Sequence, residues 1–143
     1  MIRPAELEDL DALVSLENRC FEGDRLDKGS LRWTLNRPTA LCLVEEAEGR
    51  VRGYVLLRSR EEFVRILSLA VDPEARRQGV AKALLEEAEK VVRELGGQSL
   101  VLELREDNAA ALALYESLGF KQTGTLLGYY HDRSDARRMQ KAL

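Results

Sequence analysis

The chain has 143 residues, 45% hydrophobic and 33% charged, with three prolines and a formal net charge of −3. That length suits one compact domain spanning 1–143, which buries about two-thirds of the surface its unfolded form exposes, and the composition is that of an ordinary soluble globule that calls for neither disorder nor a membrane. The mild acidic balance argues against a general nucleic-acid binder, and apolar runs such as Tyr54 to Leu57 fall far short of the roughly 20 residues that cross a bilayer.

Met1-Ile2-Arg3-Pro4 opens the chain without an apolar stretch of secretory type, so a cytoplasmic protein is expected. A short strand over Met1 to Arg3 precedes a first helix, in which Leu7, Leu10, Leu13, Val14, Leu16 and Phe21 mostly follow a helical period. The stretch from Glu22 to Asp27 breaks that helix, and a second, short one is expected over Ser30 to Leu35, ahead of Pro38. Ala40 to Glu45 and Val51 to Arg58 read as strands joined through Glu48-Gly49, and a third strand follows over Phe63 to Val71. Cys20 and Cys42 have no CxxC spacing and a single histidine, His131, to join them, so no metal site is expected and both read as free thiols.

The pattern then changes. Asp72 to Gly79 leads into a long amphipathic helix marked by Val80, Leu84, Leu85, Ala88, Val91, Val92 and Leu95 and closed by Gly96-Gly97. Ser99 to Leu104 alternates as a strand, Asn108 is an expected N-cap, and Ala109 to Leu118 forms a helix ended by Gly119. Phe120 to Leu127 and Asp135 to Ala142 are the last strands. Phe63 to Leu104 is thus a strand, helix, strand crossover within an otherwise antiparallel sheet.

Arg76-Arg77-Gln78-Gly79-Val80-Ala81 carries the strongest chemical signal, because it lies between a strand end and the first turn of a helix. Unpaired backbone N–H groups and the helix dipole make such a turn an anion site. Gly79 and the small Ala81 allow close approach to the main chain, and the two arginines supply positive charge for phosphates. The segment lacks both the nucleoside-triphosphate loop pattern and the three glycines of a dinucleotide fold, which leaves pyrophosphate as the better ligand. A glycine near a helix start is also often purely structural.

This segment resembles the R/Q-x-x-G-x-G/A signature of the GNAT superfamily of N-acetyltransferases, with Arg76, Gly79 and Ala81 in the fixed places. Asn108-Ala109 through Leu114-Tyr115 to Gly119-Phe120 resembles the N-A-x-x-L-Y-x-x-x-G-F block of the same superfamily. Within it, Leu102-Glu103-Leu104-Arg105, Tyr129-Tyr130 and Asp135-Ala136 are similar to the ribosomal-protein N-terminal alanine acetyltransferases. The region Phe21 to Leu26 departs from them, lacking their tryptophan-serine pair; Trp33 comes later. The resemblance implies an α/β fold of GNAT type, a mixed, mostly antiparallel sheet of about seven strands flanked by about four helices, with acetyl-coenzyme A (acetyl-CoA) bound at a splay in the sheet. It also implies that backbone N–H groups of Leu69, Ala70 and Val71 polarise the acetyl carbonyl, that Arg76, Arg77, Gln78, Gly79, Val80 and Ala81 hold the cofactor phosphates, and that no metal takes part.

The reaction needs a base for the attacking amine and an acid for the departing thiolate. Glu103, at the end of a central strand, is a candidate base, directly or through water; Tyr115, one helix later, is a candidate acid, and the resemblance assigns both the same roles. Each has a quieter reading: Glu103 as a solvated outward residue, Tyr115 as core with its hydroxyl at the surface, and Asn108 as an N-cap alone instead of a contact to the pantetheine arm. Tyr129 and Tyr130 are candidates to line the acceptor pocket. Arg133, Arg137, Arg138 and Lys141 read either as a basic patch for an acidic peptide or as ordinary strand surface.

An α-amine has a pKa of about 7.7–8.0 against about 10.4 for lysine, so delivering a neutral lysine costs roughly 3 kcal/mol more. A peptide or protein N-terminus is therefore the leading acceptor, followed by a small amine, an amino acid or a protein lysine. A non-catalytic acyl-CoA-binding regulatory module stays open as a different class. It would need the phosphate loop without Glu103 and Tyr115. Neither a nucleic-acid nor a membrane partner is expected, and monomer and homodimer are both compatible with the sequence.

Overall fold

The computed structural model describes residues 1–61 and 63–143. Strand β1 (Ile2–Pro4) leads through a 3-10 turn at Leu7–Asp9 into helix α1 (Leu10–Cys20). Leu10, Leu13 and Leu16 are buried on one side of α1. The helix is shorter than the apolar period suggests, since Leu7 is exposed and Phe21 is the extended residue that ends it. Helix α2 (Lys28–Leu35) starts before the expected Ser30 because the Asp27 carboxylate accepts the Ser30 N–H at 2.8 Å, a cap that contributes about 1 kcal/mol.

Strands β2 (Ala40–Ala47) and β3 (Arg50–Ser59) form the expected hairpin. Its turn residues Glu48 and Gly49 have φ of 55° and 76°, as a two-residue turn matched to strand twist requires. Strand β4 (Val64–Val71) pairs antiparallel with β3, but the register passes from Leu56↔Ser68 to Leu57↔Ile66 and leaves Leu67 as a bulge. A 3-10 turn at Pro73–Ala75 and helix α3 (Val80–Glu94) follow, then strand β5 (Ser99–Arg105), helix α4 (Ala109–Ser117), strand β6 (Lys121–Leu126) and strand β7 (Ala136–Ala142).

The seven strands lie in the order β1-β2-β3-β4-β5-β7-β6, and β4 with β5 is the parallel pair that the crossover predicts. That pair holds register at Val64↔Leu100 and Arg65↔Val101, after which the strands part. On their outer sides β4 stays paired with β3, and β5 with β7 from Ser99 to Arg105. The sheet is therefore firm on both sides of an open wedge. Strand alternation divides the core between the two faces: Val55 and Leu57 pack under α3 with Leu84, Leu85 and Ala88, while Tyr54 and Leu56 pack with Leu13, Leu16 and Leu31 of α1 and α2.

Candidate active site

The wedge opens into a cleft of about 1360 Å³ lined by the last residues of β4 and β5, more than the roughly 300–1,000 Å³ of a site for one small ligand. One end reaches the loop before α3 and the face of α4; the other lies between the α1–α2 loop and the β6–β7 loop. Such a shape lets two reactants approach one another through the sheet.

At the first end, the Asp72 carboxylate accepts the Glu74 N–H at 3.0 Å and holds the turn in place. Arg76, Arg77 and Gln78 are exposed, and Arg77 and Gly79 take left-handed φ of 64° and 77°. At Gly79 a β-carbon would meet no atom within 4 Å, so glycine serves the backbone turn, in which an L-residue costs about 1–2 kcal/mol. The turn opens α3, whose first N–H groups, from Val80 and Ala81 onward, have no partner within the helix, and both residues line the cleft. Leu69, Ala70 and Val71 run along the open edge of β4, beyond its pairing with β5. This combination of open space, helix N-terminus, exposed guanidiniums and a strand edge left unpaired by β5 fits a long phosphorylated thioester. Asn108 caps α4, its side chain accepting the Ala111 N–H at 3.0 Å, and also lines the cleft.

Glu103 does not point into bulk solvent. Its side chain is 7% exposed, and its two oxygens accept from Arg65 Nε at 3.0 Å and Arg138 Nη2 at 3.3 Å. Arg65 also donates to the Tyr129 hydroxyl at 2.6 Å. Tyr115 is half-buried on α4 with its ring edge-on to Phe120, centroids 5.5 Å apart, and lines the same cleft. Burial holds its phenol above the ordinary tyrosine range, so it stays a proton donor.

At the other end, Phe21, Asp24 and Leu26 form one wall and Tyr129 and Tyr130 the opposite one. The two tyrosine rings pack edge-on at 5.0 Å. Burial, with the nearby Asp24 carboxylate, pushes the Tyr130 phenol up to about 12. Beneath the first wall, the buried Glu17 carboxylate accepts from the hydroxyls of Tyr54 and Ser68 and from the Leu26 N–H at 3.0 Å. Cys20 donates its thiol to the Val71 carbonyl at 3.2 Å at the cleft margin, whereas Cys42 is buried and its thiol is pushed up to about 12. His131 is exposed in the β6–β7 loop.

The basic residues of β7 do not form a single patch. Arg138 pairs with Glu103, Arg137 donates to the Glu106 carbonyl at 3.1 Å and to Gln122 at 2.9 Å, and Lys141 pairs with Glu89 at 2.6 Å. The structure thus brings Glu103, Tyr115, Asn108, Arg76, Arg77, Gly79, Val80 and Ala81 to one cleft, whereas Gln78 does not line it and instead accepts from Arg52 Nη1 at 3.2 Å. It adds Glu17, Asp24, Arg65 and Arg105 to the lining, which sequence reasoning did not single out as site residues, and makes Arg138, read from the sequence as part of a basic patch or strand surface, a partner of Glu103. Their signal was weak because each acts on a partner far along the chain, as Arg65 does on Glu103.

Comparison with known proteins agrees with this geometry. Residues 10–120 match the Acetyltransferase (GNAT) family. The chain is 31% identical to an N-alpha-acetyltransferase of Sulfurisphaera tokodaii, over 99% of this chain and 92% of that one. It is 34% identical to the N-terminal acetyltransferase A complex catalytic subunit NAA10 of Arabidopsis thaliana, over 99% and 77%. The crystal structure of the ribosomal-protein-S18-alanine N-acetyltransferase from Escherichia coli superposes with a TM-score of 0.89 at 30% identity, covering 99% of this chain and 92% of that one. With the parted β4 and β5, the glycine turn before α3 and the family match over most of its length, the chain belongs to the acetyltransferase (GNAT) family.

Proposed function

We propose that this protein is an acetyl-CoA-dependent N-acetyltransferase whose acceptor is the α-amine of a peptide or protein, acting in the cytoplasm as one domain over residues 1–143. The observation that carries the reading is the continuity of the cleft: the turn at Gly79, Tyr115 and Glu103 all line one cavity that runs through the parted strands to Tyr129 and Tyr130. The chain's similarity to an N-alpha-acetyltransferase and to an N-terminal acetyltransferase catalytic subunit supports an α-amine as acceptor.

In this reading Val80 and Ala81, through their N–H groups, hold the phosphates of acetyl-CoA together with Arg76, Arg77, Gln78 and Gly79. The open edge of Leu69, Ala70 and Val71 takes the pantetheine arm and polarises the acetyl carbonyl, with Asn108 beside it. Acetyl-CoA supplies the acetyl group as an activated thioester. The proton of the acceptor amine passes through a water molecule to the Glu103 carboxylate, whose two oxygens also accept from guanidiniums. The amine attacks the carbonyl directly, and Tyr115 gives a proton to the departing thiolate. An α-amine is neutral at far less cost than a lysine, by roughly 3 kcal/mol near pH 7.5, which favours it in a site whose base is reached through water.

The test is thiol release from acetyl-CoA with paired peptides, one bearing a free N-terminus and no lysine, the other a blocked N-terminus and one lysine. Release with the first and not the second is expected, with the acetyl group located on the α-amine by mass spectrometry. Release with the lysine peptide alone would overturn the choice of acceptor.

A further inference from the structure

The two walls of the acceptor end belong to loops far apart in sequence, and one side chain joins them. Arg105, the last residue of β5, donates from Nε to Asp24 of the α1–α2 loop at 2.5 Å and from Nη1 to Asp132 of the β6–β7 loop at 2.9 Å. Its guanidinium also lies over the Tyr130 ring, 4.4 Å from the centroid. Asp132 is itself held by the Ser134 N–H at 3.0 Å, and the loop is tightened by Arg133 N–H to the Tyr130 carbonyl at 2.8 Å. Only a planar, forked cation can reach two carboxylates and keep a flat face on an aromatic ring; a lysine ammonium cannot do all three.

We infer that Arg105 is a positioning residue for the acceptor, an ionic latch that sets the distance between the α1–α2 loop and the β6–β7 loop. The inference rests on reading that end of the cleft as the acceptor side. Ion pairs at a solvent-exposed rim contribute little to global stability, and Arg105 and Asp24 are 28% and 30% exposed. Opening the latch therefore leaves the fold intact and frees the walls that carry Phe21, Leu26, Tyr129 and Tyr130. The turn at Gly79 lies at the opposite end of the cleft, so binding of acetyl-CoA is untouched.

The experiment compares the wild-type chain with Arg105→Gln, Asp24→Asn and the double variant. The latch predicts that Arg105→Gln raises the acceptor peptide KM by about tenfold, equivalent to about 1.4 kcal/mol, with acetyl-CoA Kd and kcat within about twofold. It predicts no further rise in the double variant, because both changes break the same contact, and a wild-type KM that increases with added salt while that of Arg105→Gln stays level. Hydrogen exchange, which needs no acceptor, should be faster in residues 21–27 and 127–135 of Arg105→Gln and unchanged in α3. An unchanged acceptor KM, additive losses in the double variant, or unchanged exchange in both loops would each overturn the latch. Absence of turnover in the wild-type chain would count against the proposed function alone, since the exchange measurement still decides the latch.

Discussion

Tyr115 has its ring wedged edge-on against Phe120 and its phenol held above the ordinary range by burial. A raised pKa keeps the neutral, proton-donating form as pH rises, so the donor is not lost near pH 10, where an ordinary tyrosine ionises. The acceptor α-amine, in contrast, becomes competent only as it loses its proton near pH 8. We therefore expect kcat/KM to climb through about pH 8 and hold level past about pH 10, and Tyr115→Phe to lower kcat by about a hundredfold or more with acetyl-CoA Kd unchanged. A descending limb near pH 10 in the wild-type profile, or full activity in Tyr115→Phe, would remove Tyr115 as the acid. This residue was legible in the sequence because its block of neighbours, Asn108 to Phe120, is local. The partners of Glu103 were not, because Arg65 and Arg138 reach it only through the pairing of β5 with its two neighbours. Arg138 in particular read as one of four basic residues in or just before the last strand, and only the register Glu103↔Arg138 turns it inward to the carboxylate.

At the scale of elements, the strand order and the crossover were readable from periodicity and turn residues, and the shifts at helix ends have local causes such as the Asp27 cap. The bulge at Leu67 and the parting of β4 from β5 had no local signal, since both depend on how neighbouring strands pair. The junction from β4 to α3 is held by Asp72, which accepts the Glu74 N–H and then pairs with Arg19 of α1 at 2.8 Å and Arg50 of β3 at 3.0 Å. The Glu74 N–H first, and then the Arg19 guanidinium, lower the pKa of this carboxyl in the folded chain. A depressed folded value means that the stabilisation is fully present above the unfolded carboxyl value of about 3.9 and is lost as pH falls through the lower folded one. Thermal midpoints should accordingly fall below about pH 4, and Asp72→Asn should lose less on acidification than the wild type while starting from a lower midpoint at neutral pH. An identical acid response in the two chains would show that Asp72 is not the coupled group.

For the whole molecule, the parted sheet brings the glycine turn before α3 and the aromatic residues Tyr129 and Tyr130, far apart in sequence, to one cleft. The two blocks that resemble the GNAT superfamily made the end of the cleft at Gly79 and Tyr115 legible, because each block is local in sequence. At the end proposed to take the acceptor only Tyr129 and Tyr130 were legible, because the rest is assembled from the α1–α2 loop, the end of β5 and the β6–β7 loop, with Arg105 bridging partners 81 and 27 positions away. Titration calorimetry of the full chain with acetyl-CoA is the decisive measurement, since every later step depends on the wedge and the turn at Gly79 receiving that thioester. Saturable binding at one site per chain, weakened by added salt because guanidiniums and helix N–H groups face phosphates, is the predicted result. A chain that binds no acetyl-CoA would contradict the account.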